Sequence, residues 1–372
     1  MKTALPDLSP MMPVVEGFSH PRWDLIFDCV NAVVPEAKKP AAWTAVERQW
    51  LEKLCGDLGA DYRVYESKHF LLVSETPPRL AKGCCKFFEK ALGLILKYLP
   101  GVAKNAALGK QIVLKFSDED DYNRYTLHFF EDGTHPMSGG MCITSGGCLH
   151  YAFPVDPENP SGYRTTLVHE LTHGCLNDWP LPVWLNEALA MRMEQVICGT
   201  PPMPLDRFIL NQHRSHWTAQ TMQQFWSGES WNLADQGFQL SYGLAQIIWN
   251  KIENEMRAPQ SMILDFITRA TQADAGEAAC REVFDLSLGD FVEDFLGEGE
   301  WSPPLNHHEN PPHPPLHPPA ALCRAARTGE RCAPIADHRH RRQQLCVPGS
   351  DPNHIRGEKN HSRRAGCTDS GT

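Results

Sequence analysis

The 372-residue chain has no Cys-x-x-Cys pair, no long apolar run and no excess of positive charge, and beyond Trp301 it has no Phe, Trp or Tyr. Each absence excludes something. A membrane-spanning helix needs about 20 consecutive apolar residues. The longest such stretch, "ALGLILKYL" from Ala91 to Leu99, is too short and carries Lys97. The opening "MKTALPDLSPMMPVVEGFSH" has prolines at 6, 10 and 13, so no signal-peptide core follows its lysine. A net charge of -10 argues against general nucleic-acid binding, which calls for a basic stripe to replace phosphate counterions. Nine of the thirteen cysteines (29, 55, 84, 85, 142, 148, 175, 198, 280) are scattered through Leu-, Val- and Phe-rich segments. They read as buried free thiols in a reducing compartment. The expectation is a cytoplasmic protein with no membrane span and no nucleic-acid partner.

The lack of aromatics after Trp301 marks a boundary. A segment without large apolar side chains cannot offset its ordering entropy, so residues 302–372, with "NHHENPPHPPLHPPAALC" and "HRHRRQQ", are expected to form a disordered tail. The tail holds ten Lys and Arg against six Asp and Glu. The preceding 301 residues therefore carry 25 basic and 39 acidic side chains, an acidic body beside a basic extension.

Three further blocks precede the tail. Residues 1–60 form an N-terminal segment with one helix, "AAWTAVERQWLEKLCGDLG", where Trp43, Val46, Trp50, Leu51 and Leu54 recur at helical spacing. Residues 61–160 alternate types: strand "HFLLVSE", helix "RLAKGCCKFFEKALGLILKYL", strand "QIVLKFS", a short helix begun by Ser117, and a hairpin in "GGMCITSGGCLHYAFP" turning at Gly146 and Gly147. Residues 161–301 read as helical to about Gly297. The fold class is α+β, a small mixed sheet followed by a mainly helical bundle.

Where the sheet hands over to the bundle, the chain reads "TTLVHELTHGCLNDWPLPVWLNEALAMRMEQ". On a helix, His169 and His173 share one face and can direct imidazole nitrogens to a point about 2 Å from a metal. Glu170 lies one position round, placed to act on a water without being a ligand. The pentapeptide also arises by chance on amphipathic helices, so a third ligand has to decide. The extended pattern HExxHxxGxxH fails, with Leu176 in the glycine place and Trp179 in the last ligand place. The other route is a glutamate from the following helix. Glu187 stands among Trp184, Leu185, Ala188, Leu189 and Ala190, a face that carboxylates rarely enter without a partner. Glu194, seven residues on and on the same face, is the rival.

His169-Glu170-Leu171-Thr172-His173 followed by "LPVWLNEALA" resembles the gluzincin zinc peptidases, in particular the peptidase MA-like proteins, whose second helix reads W-L-x-E-G-x-A. Trp184, Leu185, Glu187 and Ala190 match, and Ala188 replaces the glycine. The likeness extends loosely over residues 61 to 300 and is specific only in the metal stretch. It implies a zincin-like fold with a Zn2+ ion held by His169, His173 and Glu187. Glu170 would be the general base for hydrolysis of a peptide or protein substrate. It also implies Tyr242 of "LSYGLAQ" as an oxyanion donor and "GGMCITS" (139 to 145) as an edge strand pairing with substrate, Gly139 and Gly140 allowing its approach. His213 and His216 are lesser alternatives to Tyr242 and read as surface residues. Asn177 and Asp178 are candidates to orient a ligand histidine. The competing reading is a non-catalytic scaffold that keeps the fold or the metal.

Overall fold

A computed structural model describes residues 7–130, 139–156, 158–159, 161–233 and 236–303. The tail from 304 onward, expected above to be disordered, lies outside the described residues. Those described fall within one unit, Met1–Ala326.

The chain begins with a 3-10 turn at Ser9–Met11 and a small hairpin, β1 (Val14–Val15) with β2 (Phe18–Ser19). Two helices follow, α1 (Trp23–Val33) and α2 (Lys39–Leu58). The expected apolar positions of α2, Trp43, Val46, Trp50, Leu51 and Leu54, are all buried, and the helix stops at Gly59. Next come β3 (Arg63–Glu66), β4 (Phe70–Ser74), α3 (Pro78–Tyr98), β5 (Gln111–Phe116), α4 (Glu119–Leu127), β6 (Met141–Ser145) and β7 (Cys148–Pro154). Asp118 rather than Ser117 caps α4, its carboxylate accepting from the Asp121 amide, while the Ser117 amide is turned to the Tyr62 hydroxyl.

The five larger strands form one sheet in the order β3-β4-β5-β7-β6. β4, β5 and β7 run parallel, and the edge strands β3 and β6 are antiparallel to their neighbours. Strand side chains alternate between faces, so each face has its own core. Leu71, Val73, Ile112, Leu114 and Ala152 point toward Trp23, Trp43 and Trp50 of the N-terminal helices. Phe70, Leu72, Val113, Tyr151 and Phe153 point toward α3 and the helical half. Burial on both faces explains why the central strands read as unbroken apolar runs. It also gives residues 7–60 their role, as the layer covering one face of the sheet.

The second half consists of α5 (Tyr163–Leu176), α6 (Val183–Cys198), α7 (Arg207–His216), α8 (Ala219–Ser227), α9 (Gln236–Asn250), α10 (Gln260–Arg269), α11 (Glu277–Phe284) and α12 (Leu288–Leu296). α9 runs on into a π turn at Lys251–Glu255. The architecture is thus a mixture of helices and strands, with two small sheets. Among the described residues no helix is long and apolar enough to cross a membrane.

Candidate metal centre

Every residue of α5 from Leu167 to Leu176 is buried except His169, whose side chain remains 16% exposed. The helix is wedged between the sheet and α6, and one glycine sets how closely it lies on the sheet. A Cβ on Gly174 would fall 2.1 Å from the Tyr151 hydroxyl of β7. Only glycine lets the turn carrying His173 reach that depth.

The start of α6 is pinned from the far end of the chain. The Val183 amide donates to Gln272 Oε1 at 2.9 Å, and the buried Trp184 indole donates to the Ala275 carbonyl at 2.9 Å. Burying the Trp184 side chain contributes roughly 2–3 kcal/mol, and it places the next inward residue, Glu187, opposite α5. Lower on α6, Arg192 pairs with Glu253 of the π turn at 2.7 Å, which ties this helix to α9.

The geometry brings three donor groups together. Glu187 Oε2 lies 3.2 Å from His169 Nε2, and Glu187 Oε1 lies 3.5 Å from His173 Nε2. One ligand atom from each residue can be chosen so that all three lie within 4.8 Å of one another. Ligands about 2 Å from a tetrahedral centre stand roughly 3.3 Å apart, so these spacings fit a small divalent ion such as zinc. Two imidazoles and one carboxylate also form the donor set that leaves a coordination position open.

The opposite ring nitrogens are held as well. His169 Nδ1 donates to Glu194 Oε1 at 2.6 Å, and His173 Nδ1 donates to Asn186 Oδ1 at 3.1 Å. Both bonds put a proton on Nδ1 and leave Nε2 facing Glu187, the nitrogen that would ligate a metal once it carries no proton. Glu194, weighed above as the rival ligand, is here the acceptor that orients His169. Asn177 and Asp178 are corrected from their expected orienting role: Asn177 ends α5 at the surface, and Asp178 faces Lys104 at 3.3 Å. Asn186 escaped the sequence reading. Its signal was present, an amide immediately before the glutamate and on the helix facing a histidine that needs an acceptor.

Glu170 is buried, and its charge reaches Cys142 of β6, His169 and Tyr242. The Tyr242 hydroxyl hydrogen-bonds Glu187, and burial together with Glu187 and Glu170 raises its pKa well above the phenol range. Burial pushes His169 toward the neutral form, but Glu187, Glu194 and Glu170 outweigh it and raise its pKa well above the usual histidine value. The site therefore favours positive charge among its carboxylates.

Three other expectations resolve differently. His213 is buried rather than superficial: it accepts the Trp217 indole N–H at 2.9 Å and packs against Gly243. Its neighbour His216 is half-buried against Trp217. Among the described residues β6 is an edge strand with β7 as its neighbour, but the glycines before it do not both leave room for an incoming chain. Gly139 is open, whereas Gly140 is buried where a Cβ would meet Thr166 of α5 at 2.4 Å. Gly140 serves the contact between strand and helix. Compared with known proteins, the chain matches no family model, and no curated protein matches it in sequence.

Proposed function

We propose that the chain is a zinc-dependent peptidase of the gluzincin type, with a zincin-like arrangement of sheet and helices. The observation that carries the reading is the convergence of His169 Nε2, His173 Nε2 and Glu187, with both Nδ1 atoms anchored and Glu170 one position away. A packing function needs no such orientation of both rings.

His169, His173 and Glu187 would hold the ion. A bound zinc ion supplies Lewis acidity, polarising a carbonyl and lowering the pKa of water. The chain's own residues do the rest. Glu170 accepts a proton from the attacking water and passes it to the leaving amide nitrogen, so the peptide bond is exchanged for a carboxylate and an amine. Tyr242 offers an O–H to the carbonyl oxygen as negative charge develops there. β6, an edge strand among the described residues, is the element on which an extended peptide would lie. The free, mostly buried thiols suit a reducing compartment, and the reading places the protein in the cytoplasm.

The test is Glu170→Gln. Glutamine is nearly isosteric, so bound zinc should remain, while loss of a positioned base typically lowers the rate by about 10² to 10⁴-fold. Wild-type protein should cleave casein or a peptide library in a chelator-sensitive way, and Glu170→Gln should lose that activity with little change in substrate affinity. Equal rates would refute the mechanism. A wild type that binds zinc but cleaves nothing would favour the scaffold reading.

A further inference from the structure

A second functional surface lies on the solvent side of α3. Arg79, Lys82, Lys86, Lys90 and Lys97 are all exposed. At about 100° per residue these five fall within roughly 80° of the helix circumference, and at 1.5 Å per residue they span about 27 Å. They form one straight row of cations on a body that is otherwise strongly acidic.

Among the described residues none of the five takes part in an ion pair, although other surface cations do, as in Lys39 with Glu36, Arg48 with Glu66 and Arg269 with Asp265. The acidic residue of α3, Glu89, lies beside the row and is held by hydrogen bonds from Ser67 and His69 rather than by one of the five cations. Beside the row, between α3 and the edge strand β3, a recess of about 360 Å³ is lined by Tyr65, Pro78, Lys82 and Lys86. Glu66 and Glu89 also line it, Glu66 paired with Arg48 and Lys110 and Glu89 hydrogen-bonded by Ser67 and His69. Gly83 and Gly93 lie on the same face, and a Cβ there would meet nothing within 4 Å. Glycine inside a helix costs about 1 kcal/mol relative to alanine, and packing within the chain does not require either one.

We propose that this face of α3 is a docking site for an acidic segment, rich in Asp and Glu, of a partner protein. Charge complementarity identifies the occupant. Four of the five cations are lysines, mobile point charges suited to separately spaced carboxylates, whereas phosphate recognition favours the bidentate guanidinium. Of the aromatic rings beside the row, Phe87 is half-buried beneath the Arg164 guanidinium and Tyr65 is half-buried with its hydroxyl on the Thr76 carbonyl, so neither stands out as a stacking platform for bases. Leu80 is the large apolar side chain of α3 that stands well exposed, too little for insertion into a lipid surface. Each cation of the row would contact a separate carboxylate of the segment. The inference is independent of the metal centre, since none of these residues takes part in it.

The experiment measures fluorescence anisotropy of a labelled glutamate-rich peptide with the full chain at low ionic strength. The proteins compared are wild type, Lys82→Gln/Lys86→Gln/Lys90→Gln, and the same three positions changed to Arg. Exposed pairs are each worth a few-fold in affinity, so the Gln variant should bind about tenfold more weakly. The Arg variant should bind within about twofold of wild type, and circular dichroism of all three should coincide because the side chains are exposed. The basic tail is common to the three proteins and cancels in the comparison. Parallel titrations use a single-stranded oligonucleotide and phosphatidylserine vesicles. The proposal is overturned if wild type does not bind the peptide, if the Gln variant binds it equally well, or if the three lysines govern oligonucleotide or vesicle binding rather than peptide binding.

Discussion

The two faces of the five-stranded sheet both bury histidine, and they treat it in opposite ways. On the face covered by the N-terminal helices, His20 stacks on Tyr125 and His128 with ring centroids 5.0 and 3.8 Å apart, and His150 meets the Tyr125 hydroxyl at 2.8 Å. Burial pushes both down to about 3, with the neighbouring His128 and His150 adding to the effect at His20. On the other face His169 is largely buried, yet its pKa rises because Glu187, Glu194 and Glu170 surround it. Burial alone makes a histidine a neutral packing group. Carboxylates placed around it make the same side chain part of a group that could hold a cation.

The sharpest way to break that contrast is to remove groups on each face and count metal. Wild type should carry about one zinc per chain, and His169→Ala, His173→Ala and Glu187→Ala should each lose nearly all of it, because a tight site needs three ligands. His150→Gln should lose stability but no metal. If His150→Gln emptied the site, or Glu187→Ala kept its zinc, the division between the faces would be wrong.

A smaller effect is expected from the orienting residues. Glu194→Gln and Asn186→Ala should retain zinc but weaken its affinity by about 10 to 100-fold, the usual cost of losing a partner that holds a ligand. Asp178→Asn, at the surface, should change nothing. Competition with a chromophoric chelator ranks the three.

Acid stability tests the neutral histidines. His20 and His150 are held near 3 and His213 near 4, below the ordinary 6.5, so the unfolded chain takes up their protons first as pH falls. Stability should drop between pH 6.5 and about 4, by roughly 1.4 kcal/mol per pH unit for each histidine still neutral in the fold. Glu47 acts in the opposite sense. Burial raises it to about 7 even though the amides of Gly109 and Lys110 and the nearby Lys110 charge favour its ionised form. Its folded form takes up a proton before the unfolded chain does, so it contributes stability that is lost as pH rises from 4.5 toward 7. Three histidines against one glutamate leave a net loss on acidification. Denaturant melts across this range should show a shallower slope in His150→Gln and a steeper one in Glu47→Gln.

The smallest effect should come from removing residues 304–372, with melting temperature and zinc content nearly unchanged. Cutting at Glu300 should cost more than cutting at Pro303, because the Trp226 indole donates to the Trp301 carbonyl at 2.7 Å and Gln223 donates to the Ser302 carbonyl at 3.1 Å. A melting temperature that fell equally with both cuts would show that the tail stabilises the rest.

Much of the local structure was legible because it rests on short-range patterns. The repeat of Trp43, Val46, Trp50 and Leu54, the runs in β4 and β5, the glycine pair between β6 and β7 and the spacing of His169 and His173 need only neighbours a few residues away. The apolar setting of Glu187 was legible for the same reason. The start of α4 differs locally, by the one residue from Ser117 to Asp118; the other differences are long-range. Asn177 and Asp178 are close to His173 in sequence but turn elsewhere, His213 is covered by α9, and the space beside Gly140 is filled by Thr166 rather than open to an incoming chain.

The sequence by itself determined which residues could ligate a metal and which helices would carry them, since helical periodicity places side chains without reference to the rest of the fold. Only the tertiary structure decided that Glu187 meets both rings while Glu194 stands behind one of them. That choice depends on the angle and depth at which α6 crosses α5. The depth is set by Gly174 against Tyr151, and the angle by Gln272 and Ala275 gripping the start of α6, groups separated by about ninety residues and brought together by packing alone.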